Sequence, residues 1–273
     1  MVGLRPEGCR SSWGYPLTAE SDLEIRLERL RSPEVRARID DGWTTVLIAC
    51  GAVEQHGPHL PLFTDAEIGT ALALEIARRL GRTLVAPTIR VGCSDHHLAF
   101  AGTLSLRQET FESLVLDHVT SLARHGFRRI LIVPTHGGNF GPLAAMEDRL
   151  RKAAAPVSVA CYTDLMAVVE LWRRETDAEL ELGDRVGGHA DVAETSIMQK
   201  LHPDLVRPDL AEAGFQGPLS EEVVARLMRD GMGSIAPNGI MGDARGATPA
   251  SGQRLLIAMA DMVAGVFRRA GNC

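Results

Sequence analysis

The sequence predicts an α/β fold: a three-layer α/β/α sandwich around a mostly parallel central sheet. Two observations carry this. Short apolar runs rich in β-branched residues alternate with amphipathic stretches of 10 to 17 residues, the pattern of successive βαβ units. One run, Arg129-Ile130-Leu131-Ile132-Val133-Pro134, is almost continuously apolar, as a strand covered on both faces must be. No internal repeat and no GxGxxG or GxxxxGK[ST] motif occurs, so a solenoid, a dinucleotide fold and a P-loop have no support.

Each element follows from local chemistry. Residues 1–20 look irregular. Leu23 to Ile39 has helical spacing interrupted at Pro33, with Ser32 as N-cap and Pro33 at the first helical position. Residues 44–50 read as a buried strand, and Ala66 to Leu80 as an amphipathic helix stopped by Gly81. Thr83 to Val91 reads as a strand, Gly92 to Ala101 as a polar turn, and Thr103 to Leu106 as a short strand. Glu109 to His125 is helical, with Phe111, Leu114, Val115, Val119 and Leu122 on one face. After the Arg129–Pro134 strand come a helix over 141–153, a strand over 157–162, a short helix over 165–174 and a Gly-rich loop over 183–190. Helices over 191–201, 220–229 and 253–269 complete the chain.

With 273 residues and 45% hydrophobic content, the chain can build one sizeable core. The expected organisation is an N-terminal extension and helix over 1–40 and a single domain over 41–273. A net charge of -6 offers no basic footprint for nucleic acid. No apolar run reaches the roughly 18 residues of a membrane span, and Met1 to Glu20 lacks the apolar core of a secretion signal. A small-molecule substrate is expected, with neither nucleic acid nor membrane as partner. The five cysteines, Cys9, Cys50, Cys93, Cys161 and Cys273, are widely spaced and form no CxxC. A disulfide framework is not expected, and a cytoplasmic compartment fits best.

Chemistry concentrates in four segments. Glu54-Gln55-His56-Gly57-Pro58-His59-Leu60-Pro61-Leu62-Phe63-Thr64-Asp65 follows the first strand. Glu54, His56 and Asp65 can therefore sit past the carboxyl end of that strand, where open α/β sheets bind ligands. Two carboxylates and an imidazole suit hard to borderline cations, although a polar loop with a capping Asp reads the same residues. His136 ends the strongest strand and is followed by Gly137 and Gly138, which let the chain turn and leave room above it. Asn139 reads as a helix cap. Gly188-His189-Ala190-Asp191 leads into a helix carrying Glu194; a non-helical His189 can converge with Glu194, and Asp191 reads as the cap. In Ser94-Asp95-His96-His97, adjacent histidines in a strand would face opposite ways, and His97 is the expected pocket residue. Ser94 and Gly188 are expected to contact substrate from the 92–101 turn and the 175–188 loop.

Glu54, His56, Asp65 and His136 supply enough donors for two divalent ions, with Asp65 bridging through its two oxygens. Ions roughly 3.5–4 Å apart can share a water and acidify it into a nucleophile. Glu194 and His189 would then handle proton transfer to a leaving nitrogen. No G-x-S-x-G elbow or Cys–His signature supplies another nucleophile.

Over roughly residues 40–266 the chain resembles the creatininase family of metal-dependent amidohydrolases. The resemblance rests on residues 51–62 with Thr64-Asp65, on Phe100 to Leu106, on His136-Gly137-Gly138-Asn139, on Gly188-His189-Ala190 with Glu194-Thr195-Ser196, and on Gly239-Ile240-Met241-Gly242-Asp243. It implies a three-layer α/β/α fold, homo-oligomers that are often hexameric, and two divalent ions, commonly zinc, manganese or iron. By position it implies Glu54 and His136 on one ion, His56 on the other, Asp65 bridging, and His189 as proton shuttle. The chain departs from creatininase where a Tyr and a metal-binding Glu would follow the metal-binding His; here Gly137 and Gly138 stand instead. Glu194 is the expected replacement ligand. The Gly-Gly form is similar to relatives acting on formamides, on peptides that become redox cofactors, or on cyclic ketone sugars. The expected activity is hydrolysis of a non-peptide C–N bond, with a sugar ketone or lactone, a cofactor-precursor peptide, or a non-catalytic scaffold as alternatives.

Overall fold

Four apolar runs pair into one parallel sheet, and the side of β1 on which each later strand is added decides where a ligand can bind. In the computed structural model, which describes residues 23–218 and 220–270, the sheet strands are β1 (Thr45–Cys50), β2 (Thr83–Val85), β3 (Arg129–Pro134) and β4 (Ser158–Cys161). Their order is β2-β1-β3-β4 and every pairing is parallel. The expected α/β class and parallel sheet are therefore correct. Register aligns Cys50 of β1 with Pro134 of β3, so the two strands end side by side. Chain order reverses direction around β1: β2 is added on one side, β3 on the other. Right-handed crossovers then place α2 (Thr64–Leu80) on one face and α3 (Gln108–Arg124) and α4 (Gly137–Ala154) on the opposite face. The gap above the carboxyl ends of β1 and β3 is the switch point at which such sheets take ligands.

Fully buried Val46, Leu47, Ile48, Ile130, Leu131 and Ile132 form the middle of the core. The α2 face is covered further by α5 (Leu165–Leu180), α6 (Val192–Leu201) and α8 (Pro249–Ala270), which pack on one another. α7 is Glu221–Asp230. A small antiparallel pair, β5 (Val186–His189) and β6 (Met241–Gly242), lies apart from the main sheet.

Several boundaries differ from expectation. The helical spacing from Leu23 yields only a 3-10 turn at Leu27–Arg29 and α1 (Ser32–Asp40). Arg31 is the flanking residue of α1 rather than Ser32, and its N–H donates to Glu34 Oε2 at 2.7 Å. The 83–91 strand stops at Val85, and Leu104 makes only an isolated bridge to Val53. α4 begins four residues earlier than expected and contains Pro142 in its second turn, where the missing N–H removes one intrahelical hydrogen bond. The Gly-rich 183–190 segment contains β5, because it pairs with β6. Residues 1–22, with Cys9, and Cys273 lie outside the described residues.

Candidate metal centre

β1 delivers Glu54 and His56, the first turn of α2 delivers Asp65, and the end of β3 delivers His136. β5 delivers His189 and the first turn of α6 delivers Glu194. All six side chains are buried and converge. Asp65 lies between two imidazoles, with Oδ1 at 3.4 Å from His56 Nε2 and Oδ2 at 3.3 Å from His136 Nδ1. Glu54 Oε1 is 3.1 Å from His136 Nδ1, and Glu194 Oε2 is 3.7 Å from His56 Nε2. His97 Nε2 and His189 Nδ1 reach Glu54 Oε1 at 3.4 and 3.7 Å.

Backbone carbonyls turn the ligand-type nitrogens inward. His56 Nδ1 donates to Glu54 O at 3.1 Å, which aims Nε2 at Asp65 and Glu194. His136 Nε2 donates to Cys93 O at 2.9 Å, which aims Nδ1 at Glu54 and Asp65. Outer hydrogen bonds of this kind fix the orientation of metal-binding imidazoles. Thr135 Oγ1 donates to Asp65 O at 2.8 Å, pinning the start of α2 to the end of β3.

Burial and charge work against each other throughout. Burial opposes a charge on His56, but Asp65, Glu194 and Glu54 outweigh it and raise the ring to about 10. His136 is raised against the same burial by Glu54 and Asp65. Burial raises Glu194 to about 8, His56 pulling the other way. Burial and the His56 charge lower His189 to about 3. Glu54 and Asp65 are held low, against burial, by the imidazoles around them.

Both oxygens of Glu54, His56 Nε2 and Asp65 Oδ2 are buried without a hydrogen-bond partner. Buried polar atoms left unpaired cost about 1–3 kcal/mol each, so their retention points to a ligand. Glu54, His56 and Asp65 present donor atoms within 4.8 Å of one another, as do His56, His189 and Glu194, and Glu54, His97 and His189. The donor set fits divalent cations with carboxylate–imidazole preference.

Other expectations resolve individually. His97 is buried in a 3-10 turn, Asp95–His97, within the expected polar turn; His96 is half-buried and stacks on His136 with ring centroids 5.7 Å apart. Ser94 Oγ lies 3.4 Å from His136 Nε2, on the edge of the ring away from the carboxylates. Gly188 borders a cavity of about 40 Å³ beside Asp65, His136 and Glu194, with apolar walls from Phe140, Val168 and Met259. Asp191 caps α6 as expected, accepting from the N–H groups of Ala193 and Glu194; its other oxygen accepts from Gly187 and Gly188, so it shapes the His189 loop as well. Asn139 does not cap α4. Its Oδ1 accepts from Cys93 N and its Nδ2 donates to Cys50 O and Gly51 O, tying three loops together. Gln55, at the centre of the buried histidines, went unnoticed in the sequence because a Gln inside a Glu-x-His hook carries no chemical signature of its own.

The family profile described as creatininase, creatinine amidohydrolase, matches residues 28–267. The chain is 34% identical over 235 residues to the mycofactocin precursor peptide peptidase of Mycobacterium ulcerans, covering 82% of this chain and 85% of that one. It is 33% identical over 191 residues to the creatinine amidohydrolase of Pseudomonas putida, covering 64% and 71%. The solved structure of creatininase Mn aligns with a TM-score of 0.72 at 25% identity, covering 91% of this chain and 99% of that one.

Proposed function

From the premise that this chain belongs to the creatininase family, we propose that it is a two-cation hydrolase that cleaves an amide C–N bond in a peptide precursor. The observation that carries the cation part is the set of orphaned buried donor atoms on Glu54, His56 and Asp65. One cation would be held by Glu54 and His136, the other by His56 and Glu194, with one Asp65 oxygen for each. When bound, such a pair supplies Lewis acidity that activates water and polarises a carbonyl.

The chain's own residues do the rest. Glu194 would stand in for the carboxylate that the Gly137-Gly138 pair lacks; its Oε2 lies 3.7 Å from His56 Nε2 and is steadied by the Ala190 N–H at 2.6 Å. His189 turns Nδ1 toward Glu54 and stays neutral at ordinary pH. Its Nδ1 faces the carboxylate side of the site, and in the proposed reaction it would take a proton there and pass it to the departing nitrogen. The buried walls exclude bulk water. His97, Ser94 and Gly188 are the proposed substrate-facing residues. Homo-oligomer formation belongs to the same proposal, and exposed Leu98, Leu104, Met166 and Met228 are the apolar surface it would draw on.

The peptide substrate rests on the relative named a precursor peptide peptidase. The second reading, a cyclic non-peptide amide, rests on the Pseudomonas relative. The test is purified protein stripped with chelator, refilled with zinc, manganese or iron(II), and assayed against peptides and lactams. Metal-restored release of a peptide fragment is the expected result. Lactam cleavage alone favours the second reading, and chelator-insensitive or absent turnover on both defeats the proposal. Asp65→Ala should remove both ions by elemental analysis; retention of two defeats the shared-ligand arrangement.

A further inference from the structure

Gln55 is 5% exposed and sits between Glu54 and His56 in the chain. Its amide orientation is set by the backbone. The Gly57 N–H donates to Gln55 Oε1 at 2.9 Å, so the other end of the amide is the NH₂ group. That group lies 2.8 Å from His97 Nδ1, 2.9 Å from His189 Nε2 and 3.1 Å from Gly239 O. It has two protons for three neighbours. His189 Nε2 also lies 3.0 Å from the Gln55 carbonyl oxygen.

One arrangement satisfies every group. The carbonyl of Gln55 can only accept, so His189 Nε2 must carry a proton and donate to it. The two amide protons then go to His97 Nδ1 and Gly239 O. The reverse, a bare His189 Nε2 accepting from Gln55, leaves the Gln55 carbonyl without this donor and leaves either His97 or Gly239 unpaired. Satisfied networks of buried polar groups outcompete partly satisfied ones. Because His97 Nδ1 is bare, its proton sits on Nε2, 3.4 Å from Glu54 Oε1. Because His189 Nε2 is protonated, its Nδ1 lone pair faces the same carboxylate at 3.7 Å.

We propose that Gln55 is a positioning residue that sets the tautomers of two site histidines, keeping His97 a hydrogen-bond donor instead of a metal ligand and leaving His189 Nδ1 as the open base. A ring nitrogen that bears its proton cannot bind a cation, so the Glu54, His97 and His189 group is withdrawn from metal binding. His97 is thereby removed from the donors open to a cation. The fold supports the amide with a dedicated glycine. Gly239 has φ +78°, and a Cβ there would stand 1.8 Å from Gln55 Oε1. This gives the Gly239–Asp243 segment a physical role at a site far from it in sequence.

The role assigned to His189 rests on the proposed hydrolase reading; the tautomers do not. The test is long-range ¹H–¹⁵N correlation of histidine-labelled protein, metal-free and zinc-loaded. His97 and His189 should both appear as Nε2–H rings with bare Nδ1. Gln55→Glu puts an acceptor opposite His97 Nδ1 and should move the His97 proton from Nε2 to Nδ1. Gln55→Met removes the donor and should give a mixture of His97 tautomers, which keeps the test open if the charged variant does not fold. A wild-type His97 protonated on Nδ1, or His97 tautomers unchanged in the Gln55→Met protein, overturns the inference. Correct tautomers in a protein that hydrolyses nothing would defeat the proposed function alone.

Discussion

Gly137 and Gly138 are neighbours in sequence, yet the structure requires opposite outcomes when each becomes alanine. At Gly137 the nearest atom to an added Cβ is Leu165 Cδ2 at 4.0 Å, an ordinary contact. At Gly138 the Cβ would lie 2.2 Å from Cys93 O and 2.5 Å from His136 Nε2. Relief requires that carbonyl to retreat by about 1 Å, and the same carbonyl accepts the bond that aims His136 at Glu54 and Asp65. Overpacking of about 1–3 kcal/mol and the lost bond of about 1 kcal/mol give roughly 2–4 kcal/mol. At roughly 2–4 °C per kcal/mol for a chain of this size, Gly138→Ala should melt about 5–15 °C lower. Loss of an orienting partner should also weaken cation binding about 10–100-fold. Gly137→Ala should bind cations like wild type and gain up to about 1 kcal/mol from helix propensity. Thermal unfolding and zinc titration of both variants decide the matter. Equal melting temperatures and equal zinc affinities would refute the reasoning, because the two sites would then share one environment.

Glu194→Gln should leave about one zinc per chain by elemental analysis, since His56 keeps only Asp65 beside it; two retained ions would remove Glu194 from the ligand set. Zinc held at about 100 times its dissociation constant should add about 2.7 kcal/mol to unfolding stability, read as a melting temperature that falls with chelator and returns on refilling. His59 is lowered to about 4 by burial and by His56, so the unfolded chain binds a proton there at higher pH than the folded one. That linkage is absent above its ordinary value near 6.5 and destabilises the fold as pH falls toward 4, by up to about 3 kcal/mol. In metal-free protein His59→Gln should flatten the acid limb of the stability curve between pH 6.5 and 4; an unchanged limb would clear His59 of the effect.

The parallel sheet was legible because β1 and β3 are buried beyond their first residues and therefore almost continuously apolar. The ligand hook was legible because Glu54, His56 and Asp65 lie within 12 residues of one another in sequence, and His136 because it ends a strand whose partner ends beside it. What stayed hidden depends on contacts between distant segments. Asn139 follows a plausible helix start, but its amide faces the carbonyls of Cys50 and Gly51, which only the β1–β3 pairing brings near. The 92–101 segment read as a polar turn and is one, but nothing in one dimension shows that His96 stacks on His136. The β5–β6 pair joins segments about 50 residues apart, too short and glycine-rich for any periodicity to announce it.

The arrangement around Asp65 also explains why this centre belongs at the switch point of the sheet. His56 follows β1 and His136 follows β3, and parallel pairing in register sets the two strand ends side by side. Asp65 enters from the first turn of α2, the helix that crosses over β1. It can offer one oxygen to each imidazole only because it stands above the seam between those strands. Three buried carboxylates, Glu54, Asp65 and Glu194, are thereby gathered where no arginine or lysine reaches them among the described residues. Like charges so placed oppose folding unless protons or cations join them. Raised His56, His136 and Glu194 are the proton solution. Divalent cations would be the other solution, and on binding they would displace those same protons. Loading the centre should therefore release protons, because the positions that favour cations are the ones at which His56, His136 and Glu194 are raised.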